Sequence, residues 1–284
     1  MFGTPSIIFI RFSIRGRSGA IPKMTQHHTS ADILRKLQAM SDPSARHEMA
    51  RFGIHVDNAL GGISTPDLKR LARQIGKDHR LARELWKSDL HEARHLAAMV
   101  DDPAQVSEAQ LERWAKDFDS WDVVDGCCLY LFVNTPLAHN KAREWSRRTE
   151  EFVKRAAFTL MAVLAVHDKQ AADARFLRFL PIIKREATDE RNFVKKAVNW
   201  ALRQIGKRNL ALNKAAIKVA WEIRQIDSRS SRWIAADALR ELTSDAVQKR
   251  LRSRSANFTV NKIWDNPEDS VYDNWKSHYS RKRR

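Results

Sequence analysis

A five-residue pattern occurs twice in this chain, 41 residues apart, each time within helical periodicity. Residues 152–156 read Phe-Val-Lys-Arg-Ala, and residues 193–197 read Phe-Val-Lys-Lys-Ala. A weaker copy, Trp-Ile-Ala-Ala, begins 40 residues further on at Trp233. Helix pairs that repeat at about 40–47 residues stack so that each covers its neighbour's apolar face, and the stack curves around a concave surface. The pattern predicts such a stack, although two amphipathic helices can also resemble each other by chance.

Helix signals extend this prediction over most of the chain. Ser64-Thr65-Pro66 has the sequence of a helix start, and Gly76 is placed to end that helix. Further amphipathic segments lie near residues 30–41, 79–88, 90–100, 107–117, 120–133, 137–148, 150–167, 173–187, 190–208, 210–226 and 230–243. Only 9 Gly and 8 Pro occur in 284 residues, and alternating strand-like patterns are nearly absent. We therefore predict an all-α fold, a HEAT-like α-solenoid of stacked antiparallel helix pairs with a concave groove.

We predict one domain, residues 26–255, between two segments without a core pattern. The apolar run at residues 5–14 is short and is interrupted by Arg11, which makes it a poor signal peptide. Because Met24 precedes the first convincing helix, residues 1–25 are predicted to be a disordered leader or a mis-assigned start. From Asn257 the periodicity fades, and the chain ends in Arg-Lys-Arg-Arg, so residues 256–284 are predicted to form a basic, mostly disordered tail.

The charge balance points to a polyanionic partner. The chain has 51 Lys and Arg against 34 Asp and Glu, a net charge of +17. Such an excess indicates nucleic acid as the first candidate partner and an anionic membrane surface as a weaker one. The alternative is a basic surface that only aids solubility. No apolar run approaches the ~20 residues of a membrane span. Cys127 and Cys128 are adjacent and point about 100° apart on a helix, so we expect no disulfide between them and a reduced, cytoplasmic protein.

Two histidine pairs are candidate metal ligands. They are His27-His28 and His91/His95. The second pair has i, i+4 spacing, which places both rings on one helix face. No third ligand lies near it in the sequence, and no Cys/His zinc spacing occurs. We therefore expect neither a metal site nor a cofactor.

A carboxylate lies within an apolar helical stripe. Trp121 and Asp125 are four residues apart, so they lie about 40° apart on one face among apolar side chains. Ionised groups are rarely left in such a stripe without a purpose, which makes Asp125 a candidate catalytic group. The alternative is a satisfied buried Asp beside a core tryptophan. Asp122 points away from the stripe near the helix start, where its charge suits the helix dipole.

Two further helices carry candidate residues. Arg155 opens a segment that is then apolar almost all round, so its guanidinium is either a surface charge or a partner for phosphate or carboxylate. Trp200 lies about 120° from the centre of its helix's apolar arc, on the side that carries Lys196 and Arg203. An indole on a basic helix face is typical of a nucleic-acid contact, although it can also belong to the core.

Three stretches together resemble one known family. They are residues 119–125 (Asp-Ser-Trp-Asp-Val-Val-Asp), 153–157 (Val-Lys-Arg-Ala-Ala) and 196–203 (Lys-Ala-Val-Asn-Trp-Ala-Leu-Arg). Two upstream blocks, residues 62–68 and 91–97, are similar as well. The chain resembles the AlkD-like DNA alkylation repair family over about residues 30–253.

The resemblance implies a HEAT-like DNA N-glycosylase that binds duplex DNA in its groove. Its implied substrates are cationic alkylated purines such as 3-methyladenine and 7-methylguanine, excised without a metal and without flipping the lesion. Asp125 matches the catalytic carboxylate and Arg155 the cleft arginine. Trp121 and Trp200 match the two cleft aromatics. Some relatives bind DNA without glycosylase activity, so a catalytically silent protein for damaged or structured DNA stays open, as does a scaffold for an acidic protein.

Basic residues near the repeat helices are expected to contact phosphates. They are Lys154, Lys195, Lys196, Arg203, Lys207 and Arg208. The expected partner is double-stranded DNA with alkylated bases, bound by a monomer that is associated with the nucleoid. Affinity should then depend steeply on salt and weakly on sequence.

Overall fold

The protein is described by a computed structural model that covers residues 28–256. The predicted leader (1–25) and the predicted tail beyond Ala256 lie outside the described residues. Within that range the chain forms α1 (Ser30–Met40), α2 (Arg46–Arg51), α3 (Thr65–Ile75), α4 (His79–Lys87), α5 (His91–Val100), α6 (Glu108–Lys116), α7 (Trp121–Tyr130), α8 (Ala138–Trp145), α9 (Glu151–His167), α10 (Asp173–Leu177), α11 (Leu180–Arg185), α12 (Asn192–Gly206), α13 (Leu210–Arg224), α14 (Arg229–Leu242) and α15 (Asp245–Ala256). Short 3-10 turns lie at Pro43–Ala45, Phe132–Asn134 and Glu186–Thr188. The all-α prediction is confirmed.

The helices stack in two layers. In one layer α3, α5, α7, α9, α12 and α14 pack side by side, each against the next. We call these six helices the site layer. In the other layer α4 packs on α5, α8 on α9, and α13 on α12 and α14. This alternation is the predicted HEAT-like α-solenoid of antiparallel helix pairs with its concave groove.

The repeated pattern marks two neighbouring helices of the site layer. Phe152 and Phe193 are the second residues of α9 and α12, and their ring centroids are 5.6 Å apart. The matching Lys-Arg-Ala and Lys-Lys-Ala segments therefore occupy equivalent positions one repeat apart. The repeated pattern therefore corresponds to stacked helices and not to a chance similarity between two amphipathic helices.

Helix ends follow local chemistry. The Ser64 side chain accepts a hydrogen bond from the backbone N–H of Asp67 at the start of α3, and Gly76 ends this helix with φ of 78°, as predicted. The predicted helix over 173–187 is divided into α10, α11 and a 3-10 turn. Pro181 explains the division, because it has no N–H for the carbonyl of Leu177 and its ring would clash with that carbonyl. Helices α2 and α15 were not predicted from the sequence.

The core runs between the two layers and surrounds the middle of α7, whose residues 123–128 are all buried. Cys127 and Cys128 are both buried free thiols, and burial raises their pKa well above the ordinary value. The Cys128 thiol lies 3.6 Å from the Ala156 carbonyl oxygen of α9. Among the described residues, no helix has the length and apolar character that a membrane crossing requires.

Candidate functional site

Asp125 lies between α7 and α9 with its carboxylate fully engaged. Its side chain is 2% exposed. Arg155 donates from Nε to Oδ1 at 3.0 Å and from Nη2 to Oδ2 at 2.6 Å. The Thr159 hydroxyl donates to Oδ1 at 2.9 Å. This two-point contact uses both oxygens as acceptors, so it fixes the side chain in one orientation.

Arg155 connects the carboxylate to the next helix and to the indole. Its Nη1 donates to the Phe193 carbonyl oxygen on α12 at 2.8 Å. The guanidinium carbon lies 5.6 Å from the centroid of the Trp121 ring, within the range of a cation–π contact. The structure thus brings Trp121, Asp125 and Arg155 together, as one continuous cluster across α7, α9 and α12.

The N-terminal part of the chain closes one side of this cluster. Trp121 Nε1 donates to the Phe52 carbonyl oxygen at 3.1 Å, and its ring packs beside the small apolar cluster of Met49, Ile54 and Ala59. Gly53 has φ of 74°, and a Cβ at this position would lie 2.8 Å from Phe193 Cζ. A glycine is therefore required here, because the backbone is left-handed and touches the Phe193 ring.

The sequence did not single out all members of the cluster. Thr159, Phe52 and Phe193 carry contacts that depend on how the helices pack, and no residue spacing shows them in advance. Phe193 lay within the repeated pattern, which is the one signal that could have identified it.

Trp200 lies elsewhere on α12. It is seven residues after Phe193, so both side chains lie on nearly the same face, two turns apart. Its ring is half-buried and packs against the main core. Lys196 lies between them on the same face and is also half-buried. Trp200 is therefore partly a core residue, as the alternative interpretation allowed.

Several of the predicted phosphate contacts already have internal partners. Lys154 Nζ lies 2.6 Å from Glu186 Oε2 and 3.6 Å from Asp189 Oδ2. Lys195 Nζ lies 5.7 Å from the centroid of the Trp233 ring, and Trp233 is 41% exposed. Of these two lysines, Lys195 is the one that lies beside an exposed ring.

The basic residues at the end of α12 and just after it contact α14, the end of α9 and the α9–α10 connection. Lys207 is 6% exposed and its Nζ lies 2.7 Å from Glu241 Oε1, while Arg203 pairs with Glu241 and with Asp237. Burial opposes ionisation of Glu241, but Arg203 and Lys207 outweigh it and lower its pKa. Arg208 donates to the carbonyl oxygens of Ala165 and Ala171, both at 3.0 Å. To reach a phosphate, these side chains would have to leave an internal partner.

A second polar cluster lies one helix turn before Asp125. His91 Nε2 is 2.9 Å and His95 Nε2 is 3.3 Å from the same oxygen, Oδ2 of Asp122. Burial opposes protonation of His91, but the Asp122 charge outweighs it, so the pKa of His91 is raised. Burial likewise opposes ionisation of Asp122, yet the two histidines lower its pKa well below the ordinary value. Asp122 is thus an ion-pair partner as well as a helix-start residue.

Chemically, the Trp121–Asp125–Arg155 cluster presents an oriented negative charge beside an aromatic face. Such a charge stabilises positive charge that develops nearby, and its effect is large because water is excluded. Together with the stacked helix pairs, these features define a HEAT-like α-solenoid with a buried, arginine-bound carboxylate in its site layer.

Comparison with known proteins gives the family. The family model described as DNA alkylation repair enzyme matches residues 33–242. The chain belongs to this family, as the resemblance in its sequence predicted.

One solved structure agrees with the fold. One similar structure is described as a new family of proteins related to the HEAT-like repeat DNA glycosylases, with affinity for branched DNA structures. It is 19% identical, with a TM-score of 0.64, over 76% of this chain and 96% of that chain. A designed armadillo repeat protein in complex with a (KR)4 peptide is 12% identical over 83% of this chain and 96% of that chain, but its TM-score of 0.27 supports no conclusion. No curated protein gave a match.

Proposed function

We propose that this protein is a DNA N-glycosylase that excises cationic N-alkylated purines, such as 3-methyladenine and 7-methylguanine, from duplex DNA. The observation that carries the proposal is the buried Asp125 carboxylate, fixed by Arg155 and Thr159 beside the Trp121 ring. Family membership supports action in DNA alkylation repair.

The chemistry of a cationic lesion suits a site of this kind. An N-alkylated purine already carries positive charge, so it leaves without protonation by a general acid. As the glycosidic bond breaks, positive charge develops on the deoxyribose, which then resembles an oxocarbenium ion. A fixed carboxylate stabilises that charge, and an indole face attracts it as well.

The geometry favours electrostatic stabilisation over direct attack by the carboxylate. Both Asp125 oxygens accept hydrogen bonds, and the side chain is 2% exposed. A covalent bond to the sugar would require at least one of these contacts to break. For the carboxylate alone, a charge interaction over about 4 Å at an effective dielectric constant of 20 amounts to about 4 kcal/mol, which the paired Arg155 cation reduces. That magnitude matches the rate loss of ~10²–10³ found when one well-placed stabilising group is removed.

Duplex DNA would lie against the site layer, in the groove of the solenoid, and be bound by one copy of the chain. Lys195, Lys196 and Trp200 are half-buried on one helix of that layer. Phosphate contacts there would neutralise the backbone without reading sequence.

A catalytically silent DNA-binding protein is the second candidate. A purely structural ion pair would show the same burial of Asp125 and the same paired oxygens, so the geometry of Asp125 is equally compatible with this candidate. The similar solved structure, whose family is described as having affinity for branched DNA, is compatible with it. Binding to branched DNA without base release would be its signature.

Base release from alkylated DNA separates the two candidates. The purified protein is incubated with duplexes that carry 7-methylguanine or 3-methyladenine, and in parallel with a duplex that carries a neutral ethenoadenine. We expect release of the cationic bases and little release of the neutral base, because no general acid assists its departure. Absence of release from both cationic substrates, with DNA affinity intact, would support the silent protein.

A further inference from the structure

The cluster of His91, His95 and Asp122 has the composition of a metal centre. We propose that these three residues bind one divalent transition-metal ion of the zinc class. His91 and His95 lie one turn apart on α5, and Asp122 faces them from the first turn of α7. Their candidate ligand atoms all lie within 4.8 Å of one another. The proposal does not depend on glycosylase activity.

The ligand spacing suits a tetrahedral ion. Zinc binds imidazole nitrogen and carboxylate oxygen at about 2.0–2.2 Å, which places neighbouring ligand atoms about 3.3 Å apart. His91 Nε2 and His95 Nε2 lie 2.9 and 3.3 Å from Asp122 Oδ2. An ion could therefore replace the two hydrogen bonds with small shifts of the side chains. Two imidazoles favour zinc-class metals over Mg²⁺ and Ca²⁺, which prefer oxygen ligands.

The surroundings favour a cation although the chain as a whole is strongly basic. Asp122, Glu92 and Asp119 all act on His91 as negative charges. The nearby Arg94 is paired with Asp89 and with Asp119. The negative charge of these carboxylates is only partly neutralised by Arg94. A bound cation would neutralise more of it.

Supporting contacts hold the ligands in place. The Ser120 hydroxyl donates to the other carboxylate oxygen, Asp122 Oδ1, at 2.5 Å. A Cβ at Gly126 would lie 2.8 Å from His95 Nδ1, so the glycine lets the His95 ring pack directly on α7. Such contacts fix the direction in which ligand atoms point. His91 is 4% exposed, but the side chains of His95 and Asp122 are 15% and 18% exposed, which leaves a path for an ion and a water as fourth ligand.

The ion would join two helices of the site layer. Trp121 precedes Asp122 directly, and Asp125 follows it by one turn. Metal at this point would stabilise the start of α7 and so the position of both site residues, as a structural centre. The sequence alone could not show it, because the third ligand comes 27 residues after His95.

Metal binding by the full-length protein tests the proposal. The chain is stripped with a chelator, and Zn²⁺ binding is measured by isothermal titration and equilibrium dialysis. The test variants are His95→Gln and Asp122→Asn. The matched control is His139→Gln, because His139 Nε2 also lies 2.9 Å from a carboxylate, Asp168 Oδ2, but without a second histidine in the pair.

We expect about one Zn²⁺ per chain, with affinity lost at least tenfold in both test variants and unchanged in the control. Zn²⁺ should also raise the Tm of the wild-type protein more than that of the variants. Binding that persists in both test variants, or no stoichiometric binding by the wild type, would overturn the proposal and leave a hydrogen-bonded triad.

A spectroscopic measurement on the wild type does not depend on how the variants fold. Co²⁺ in place of Zn²⁺ should give the intense visible absorption of a four-coordinate site, and X-ray absorption at the zinc edge should show two imidazole ligands. A six-coordinate spectrum with oxygen ligands only would contradict the assignment.

Discussion

We expect the effects of Asp125 and Arg155 on the free energy of unfolding to depend strongly on each other. The carboxylate accepts three hydrogen bonds, two from Arg155 and one from Thr159, and both members of the pair are nearly inaccessible to solvent. Removing one member of a buried pair leaves an uncompensated charge and costs about 3–5 kcal/mol. We therefore expect Asp125→Leu and Arg155→Met each to lower the free energy of unfolding by about that amount.

The double variant should cost far less than the sum of the two single variants. It removes both charges at once, so no uncompensated charge is left, and the Thr159 hydroxyl and the Phe193 carbonyl each lose one partner at a cost of about 1–3 kcal/mol, or less where another partner is found. The coupling energy should then exceed ~2 kcal/mol. Urea unfolding followed by far-UV circular dichroism measures all four proteins.

An exposed pair provides the matched control. Arg80 and Glu84 are four residues apart on α4, with Arg80 Nε and Glu84 Oε1 separated by 3.9 Å and with side chains 76% and 39% exposed. The cycle of Arg80→Met and Glu84→Gln should give a coupling of at most ~0.5 kcal/mol. Additive effects of Asp125→Leu and Arg155→Met would refute the reasoning, because the two charges would then be stabilised by other groups.

Three further outcomes follow from the structure. Gly206→Ala should destabilise the protein by ~1–3 kcal/mol in urea unfolding, because its Cβ would lie 2.7 Å from Leu242 Cδ2 and 3.0 Å from Ala216 Cβ; unchanged stability would mean that α12 and α14 separate easily. Burial opposes ionisation of Glu112, but hydrogen bonds from Lys141 and Trp145 outweigh it and lower its pKa. The ionised Glu112 side chain therefore adds to the free energy of unfolding above the pKa that it has in the unfolded chain, and this stabilisation is lost as the pH falls through the lower pKa of the folded protein. Glu112→Gln should therefore show a smaller loss of Tm than the wild type between neutral pH and about pH 3, and parallel curves would contradict this. DNA affinity should fall with log salt with a slope of about −2 or steeper, because Lys195 and Lys196 would each contribute about −0.9, and Lys195→Glu should flatten the slope for all sequences alike; a salt-insensitive Kd would favour the protein-scaffold interpretation.

The sequence predicted the fold well because helix periodicity and a repeat of about 40 residues are local signals. Ser64 and Gly76 marked the ends of α3, and the copies beginning at Phe152 and Phe193 identified stacked neighbours. The break at Pro181 was missed because the apolar pattern continues across it. Such a break depends on one missing N–H, which periodicity does not detect.

The site was predicted in part, because its members were recognised one by one and their contacts were not. Trp121 and Asp125 share a helix face by spacing alone, but the bond from Arg155 to Asp125 joins residues 30 positions apart. The same limit explains the basic residues: Glu241, which engages Lys207, is 34 residues away in the sequence. Ion pairs between helices decide which charged side chains remain available to a ligand. These pairs join residues that are distant in the sequence, so no local sequence pattern predicts them.

The most direct test of the proposed function is the single-turnover rate of 7-methylguanine release from duplex DNA by the wild type and by Asp125→Asn. The matched control is Thr159→Val, which removes one hydrogen bond and keeps the carboxylate. Far-UV circular dichroism should confirm that each protein is folded at the assay temperature. We predict a loss of ~10²–10³ in rate for Asp125→Asn, little change in duplex affinity, and a much smaller loss for the control. An Asp125→Asn rate equal to that of the wild type would contradict a catalytic role for this carboxylate.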